Sequence, residues 1–165
     1  KSIVWYGIFV VHYILKPIKN NLFLKLLLIF FMSTGSNLYA DQSVENIIKG
    51  RKALFSKNYN TAKRVQAFAS SGKFDKANEL ILVMSENYKK LLTMFPENTK
   101  EGFKTEALPI IWEDKKAFNA LMEKSSDNMI KLAKTIETTE DLSGTLKALM
   151  WGSCKACHNK YRAEH

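Results

Sequence analysis

The chain of 165 residues is poor in the residues that staple or punctuate a fold. It has two cysteines, three prolines, seven glycines and three histidines. Two cysteines exclude a mini-protein built on disulfides. So little proline and glycine excludes a collagen-like or low-complexity disordered chain. No stretch alternates apolar and polar residues as a half-buried strand does. The first forty residues lack aspartate and glutamate, and only Lys1, Lys16, Lys19 and Lys25 carry charge there. What the chain does have is 46% hydrophobic residues, enough for a core, and 25 Lys+Arg against 16 Asp+Glu, a formal charge of +9. The length is that of one domain.

Residues 1–40 read as a secretory leader. From Leu22 to Met32 the chain runs LFLKLLLIFFM, preceded by Lys19-Asn20-Asn21 and followed by Ser33-Thr34-Gly35-Ser36 and then Asn37-Leu38-Tyr39-Ala40. A basic start, an apolar middle and a small final residue make a signal peptide, with cleavage expected after Ala40. Leu38 is larger than the small residue usual at that position. A second apolar run, Ile3–Leu15, lies upstream of Pro17 and makes the leader long. An over-extended N-terminus with the true start near Ile18 explains it; a hydrophobic hairpin or uncleaved anchor is the alternative. Each run is shorter than the ~20 apolar residues of a spanning helix. The expected division is a leader over 1–40 and one domain over 41–165. Without the four leader lysines the balance falls from +9 to +5, and the remaining basic residues are interspersed with acidic ones. No basic stripe with interleaved aromatics is present, so nucleic acid is set aside as a partner.

The domain reads as helices. Ser43 is a candidate N-cap. Val44, Ile47, Ile48, Arg51, Phe55, Ala62, Val65 and Ala69 then follow at helical spacing, widened by Leu54, to about Ser70, with Gly72 at the end. A second helix begins at Phe74-Asp75 and carries Ala77, Leu80, Ile81, Met84, Tyr88, Leu91 and Leu92 to about Met94, before Pro96 stops it. Phe95 to Ile111 contains Pro96, Gly102 and Pro109 without clean periodicity, a loop of functional length. A third helix starts near Ile111-Trp112-Glu113-Asp114 and runs to Thr138-Thr139. A fourth starts near Glu140 or Asp141 and continues through Leu142, Leu146, Leu149 and Met150 to the C-terminus. The fold class expected is all-α: an antiparallel four-helix bundle. Aromatic and methionine residues on these stripes are ordinarily core.

One segment carries chemistry. Cys154-Lys155-Ala156-Cys157-His158 is C-x-x-C-H, the attachment signature of c-type haem, and it uses both cysteines of the chain. On a helix, positions i, i+3 and i+4 share a face. Cys154 and Cys157 can each form a thioether to a haem vinyl group, and His158 can offer a neutral imidazole nitrogen to the iron. A zinc site would need four ligands, and within residues 41–165 only His165 could supplement the set. A thioredoxin-like pair expects a βαβ setting, and a disulfide across a helical i, i+3 pair is geometrically poor.

The tail Cys154-Lys155-Ala156-Cys157-His158-Asn159-Lys160-Tyr161-Arg162 resembles the C-x-x-C-H-x-x-[YF]-R ending of the cytochrome c′ and class II cytochrome c family. Ile48-x-x-Arg51 and Ala107-Leu108-Pro109-Ile110-Ile111-Trp112 add to the likeness. The resemblance spans essentially all of 41–165. It implies a periplasmic four-helix bundle, a homodimer, with one covalent haem c per chain. It assigns Arg51 to a haem propionate and sets Tyr161 and Arg162 near the proximal side. Low-spin members carry a sixth ligand, Met, four residues after the first-helix Arg; here that residue is Phe55. The first helix holds no Met or His. Lys52 and Lys57 could bind iron only if buried and deprotonated. An open apolar distal face made by Phe55, with Leu54 or Ile48 sharing it, suits a small diatomic gas such as NO or CO. High-spin relatives often carry a Trp around Leu92–Phe95; here Met94 or Phe95 would fill that space. The alternative is a low-spin electron carrier with a redox partner protein. A peroxidase-like enzyme would need distal acid–base groups, which are lacking beside Phe55, so the chain is read as a binding protein and not an enzyme.

Overall fold

The structure is a computed structural model. It describes the backbone of residues 22–164 and the side chains of residues 43–164. The expected leader therefore falls largely outside the described residues: nothing is described of 1–21, and only the backbone of 22–42. His165 is also outside them. The chain divides into two units between Ser43 and Val44; the cavity described below lies in the second, Val44–His165.

The first helix, α1, is Leu22–Ser70. Ser43 lies inside it and does not cap it, contrary to the sequence expectation; no proline occurs between Pro17 and Pro96 to stop a helix earlier. Its end is a left-handed cap. Gly72 has φ 71°, and the amide of Lys73 donates to Phe68 O at 2.9 Å, satisfying a terminal carbonyl. Three residues later α2, Phe74–Leu91, runs back. Asp75 in its first turn and Lys89 and Lys90 in its last complement the helix dipole. The chain then tightens: Leu92, Thr93 and Met94 amides donate to Lys89, Lys90 and Leu91 carbonyls.

The loop that follows contains one 3₁₀ turn, Glu97–Thr99. Gly102, Phe103 and Lys104 are all left-handed, at φ 85°, 48° and 54°. The C-terminal tail stitches this loop down. Leu108 N donates to Tyr161 O at 3.0 Å and Ala163 N to Glu106 O at 2.9 Å, around an isolated antiparallel bridge between Ala107 and Arg162. Among the described residues there is no strand.

The third expected helix is two pieces, α3 (Ile110–Glu113) and α4 (Lys115–Thr135). Asp114 breaks the run. Its backbone sits at φ −124°, ψ 60°, and its side chain accepts the Ala117 amide, so it caps a new helix instead of continuing the old one. The fourth is likewise compound: α5 (Leu142–Leu146), a π-helical turn (Lys147–Trp151), and α6 (Gly152–Tyr161). Asp141 starts it, accepting the Gly144 amide at 2.8 Å. Asp141→Ala should lower stability by about 1 kcal/mol, the usual worth of an N-cap, read as a lower urea midpoint at unchanged slope.

The helices form a four-helix bundle. Val65, Ile81, Met84, Leu91, Phe118, Met122, Met129, Leu132 and Met150 are its buried centre. Between α2 and α4 small residues meet: the Ser85 and Ser126 hydroxyls are 2.8 Å apart and buried. Among the described residues no helix is long and apolar enough to cross a membrane.

Candidate functional site

A cavity of ≈ 560 Å³ opens on one end of the bundle, within the range of about 300–1,000 Å³ usual for cofactor sites. α1 lines it with Arg51, Phe55 and Asn58, α2 with Tyr88, the loop with Phe95, Thr105 and Glu106, α6 with Cys154, Cys157, His158 and Tyr161, and the residue after α6, Arg162, completes that wall. The expected face of α6 is therefore realised: both thiols and the imidazole share one wall. Both cysteines are free and half-buried. Burial pushes the Cys157 thiol up to about 11 and raises Cys154, against the easing effect of the Tyr88 hydroxyl, which lies 3.7 Å from Cys154 Sγ. Burial, and then Arg162, hold His158 below the ordinary imidazole value, with Glu106 opposing. At neutral pH the ring is neutral, the form that ligates a metal.

Arg51 is not a solvated surface residue. It is 2% exposed. Its Nη1 donates to Met94 O (3.2 Å) and Thr99 Oγ1 (2.9 Å), and its Nη2 to Thr99 O (2.9 Å) and Thr105 Oγ1 (2.7 Å). The guanidinium lies 4.5 Å from the Phe95 ring centre. Burial lowers its pKa to about 10, which leaves it charged at neutral pH. No carboxylate among the described residues pairs with it.

Phe95, not Met94, occupies the cavity wall where the family resemblance would set a tryptophan. It is held edge-on to Phe118 (4.8 Å) and Phe55 (6.4 Å). Trp112 Nε1 and Lys115 Nζ both donate to its carbonyl, at 3.1 and 3.2 Å. Phe55 reaches the cavity; Leu54 and Ile48 do not. Leu54 is one residue round the helix from Phe55 and packs on the core, while Ile48 is fully buried. Tyr161 is buried edge-on to Phe118 at 5.1 Å, and Arg162 Nε donates to Glu106 Oε2 at 2.8 Å. Lys52 is exposed and gives its ammonium to Lys104 O at 2.9 Å. Met84, Met122, Met129 and Met150 are all core residues, and among the described residues no methionine lines the cavity.

Several cavity residues escaped the sequence, among them Thr105, Glu106, Asn58 and Tyr88. Asn58 is 3% exposed; its Oδ1 accepts from Asn87 Nδ2 at 2.7 Å. Tyr88 reads as one more apolar stripe member. The signal for Asn58 was present: it stands three residues after Phe55 and seven after Arg51, on their stripe.

Two thiols and an imidazole on one wall, aromatic residues opposite, and a buried guanidinium without a carboxylate fit a flat, apolar group that bears carboxylates. A helical bundle with this cavity along its last helix is a covalent haem-binding protein in architecture. The comparisons agree. A family model described as Cytochrome C′ matches residues 46–162. The chain is 32% identical over 122 residues to the cytochrome c′ of Rhodopseudomonas palustris, covering 72% of this chain and 83% of that protein. It is also 32% identical over 127 residues to that of Rubrivivax gelatinosus, covering 73% and 97%. Their solved structures are similar in shape. A cytochrome c′ structure from R. palustris superposes with TM-score 0.61 at 30% identity, covering 72% of this chain and 97% of that one. One from R. gelatinosus gives 0.60 at 31%, covering 72% and 96%. This chain belongs to the cytochrome c′ family, and its cofactor is a covalently bound haem c.

Proposed function

We propose that Cys154 and Cys157 hold the haem by thioethers, that His158 is its one protein axial ligand, and that the opposite position stays open for a small uncharged diatomic gas, NO or CO. The cavity wall formed by α1 carries this reading: it offers Phe55 and no methionine, histidine or cysteine. When bound, the haem iron supplies the coordination position that no side chain fills. Each thiol is placed to add across one vinyl double bond, its sulfur to one carbon and its proton to the other. Desolvation, and then Arg162, lower the His158 value, which favours the neutral ring that ligates a metal. Arg51, a buried cation, is the counter-charge for a propionate. Phe55 and Phe95 keep water and larger ligands out.

The role is binding and not catalysis. Among the described residues the one carboxylate on the cavity wall, Glu106, is paired with Arg162, which leaves that wall without the free acid or base a distal catalyst needs. The leader-like residues 1–40 support a periplasmic location. The homodimer is supported by the family and by Leu82 and Val83, exposed apolar residues side by side on α2.

The visible spectrum tests the open position. The reduced protein should show a broad five-coordinate high-spin spectrum that shifts on adding CO or NO. A sharp low-spin spectrum unmoved by CO would instead mean a sixth protein ligand and an electron carrier. In the same assay Phe55→Met should create a six-coordinate low-spin form, because it sets a thioether where the phenyl ring stands. A Phe55→Met protein that stays high-spin would show that Phe55 is not opposite His158.

A further inference from the structure

Charge is not spread evenly over the helices. Residues 46–70 of α1 carry six Lys or Arg and no Asp or Glu. Residues 142–163, the last compound helix and two residues beyond it, carry four and none. The stretch between, 71–141, has eleven against thirteen. The acidic residues interspersed along the sequence therefore fall outside the two elements that supply most of the cavity wall. An exposed aromatic pair joins those two elements. Tyr59 lines the cavity and is 55% exposed, which places it at the mouth. Its ring meets Trp151 edge-on at 6.1 Å. Trp151 Nε1 donates to Gln66 Oε1 at 2.9 Å, and Lys63 Nζ lies 4.6 Å from the Tyr59 ring centre. Lys52, Tyr59, Lys63 and Gln66 form one stripe of α1, which borders the last helix at Trp151. Lys155 stands one turn beyond Trp151, and Lys52 Nζ reaches the loop at Lys104 O. Lys52, Lys63, Lys104 and Lys155 are exposed, and among the described residues none of them forms an ion pair.

We propose that this face, with Tyr59 and Trp151 as anchors and Lys52, Lys63, Lys104 and Lys155 flanking them, docks a protein with an acidic surface at the mouth of the haem cavity. Charge complementarity selects the partner: unpaired ammonium groups of one sign steer a carboxylate-rich surface toward them. Aromatic side chains held in place by neighbours are the anchors that protein interfaces use. A bilayer would need apolar side chains to insert, and the exposed aliphatic pair, Leu82 and Val83, stands on α2 instead. A one-electron donor suits a partner at the mouth of a haem cavity: the donor loses one electron and ferric iron gains it. The inference rests on the haem in the cavity and not on the open position opposite His158.

The test is the rate at which reduced flavodoxin, an acidic one-electron donor, reduces the ferric holoprotein over a salt series. The second-order rate should fall steeply with salt, as a steered encounter does. Lys63→Glu/Lys155→Glu should lower the low-salt rate about tenfold or more and flatten the salt dependence. Lys131→Glu/Lys134→Glu makes the same change in net charge about 20 Å along α4 from Phe118 of the cavity wall, and should stay within about twofold of the parent. Trp151→Ala should lower the rate about fivefold at high salt, where steering is screened, and Trp151→Phe should keep it. Equal losses in the two glutamate pairs overturn the inference by making the effect one of net charge alone. A rate that neither salt nor Lys63→Glu/Lys155→Glu moves also overturns it. So does binding to anionic phospholipid vesicles that Lys63→Glu/Lys155→Glu abolishes while the flavodoxin rate holds, which makes the face a lipid-binding one. Uptake of CO by the reduced protein decides the open-iron reading separately.

Discussion

Replacing both Cys154 and Cys157 by serine should abolish covalent haem and remove most of the stability of the bundle. The cavity that both thiols line measures ≈ 560 Å³, several times the about 150 Å³ of an engineered apolar cavity that remains dry. Its walls include the rings of Phe55, Phe95 and Phe118. Without a filling group they lose packing partners, and lost packing of even one leucine side chain costs about 2–5 kcal/mol. A domain of this size has only about 5–15 kcal/mol in total. The expected result is no haem-linked colour on a denaturing gel and a weak, poorly cooperative thermal transition by circular dichroism. The single variants should be graded: each keeps one thioether and so some covalent haem. His158→Ala should differ in kind, keeping the haem attached while changing its spectrum. A doubly substituted protein that is fully helical and melts like the parent would show that the haem does not hold the core.

Arg51→Met should destabilise the protein by about 2–4 kcal/mol and loosen the loop between α2 and α3. The guanidinium ties Met94, Thr99 and Thr105 together through four hydrogen bonds. Thr99 is fully buried, so water cannot readily replace what it loses, and each buried group left unpaired costs about 1–3 kcal/mol. Arg51→Lys should fall between the two. Lysine keeps the charge, but three donors on one nitrogen cannot span four acceptors set for a planar fork. Urea unfolding gives the magnitude. Amide exchange along residues 97–105 gives the location, and it should quicken there while the α2 and α4 core stays protected. A loop as protected in Arg51→Met as in the parent would move the anchor to the Trp112 and Lys115 contacts with Phe95.

The chemistry was more legible in the sequence than the walls around it. Cys154, Cys157 and His158 sit within five residues, so helical spacing alone puts them on one face. The helices were legible because Ile81, Met84, Tyr88 and Leu91, or Phe118, Met122, Met129 and Leu132, repeat at helical intervals. Contacts between distant residues have no such signature. Arg51 gave no sign of Thr99 or Thr105, nor Asn58 of Asn87. The cavity wall formed by α1 carries a buried amide, Asn58, that spacing alone did not announce for that reason. Asp114 reads equally well as a first-turn acid or as a cap; only the backbone decides, and it chose the cap. Leu54 and Ile48 were offered as sharers of the distal face, yet Leu54 is turned about 100° from Phe55 round α1, and Ile48, on the same stripe, stands seven residues back, almost two turns or about 10 Å along the axis, and neither lines the cavity.

The π-helical turn at Lys147–Trp151 has a consequence for the phase of the last helix. One residue of an α-helix advances the rotation by about 100°, and a π-turn accommodates about one extra residue without ending the helix. Leu142 and Leu146 before it, and Cys154, Cys157 and His158 after it, are therefore written in two different registers. Closing the turn by deleting Ala148 would shorten the helix by only about 1.5 Å. It would also swing the whole attachment motif roughly a quarter of a turn about the helix axis, carrying both sulfurs and the imidazole away from Phe55.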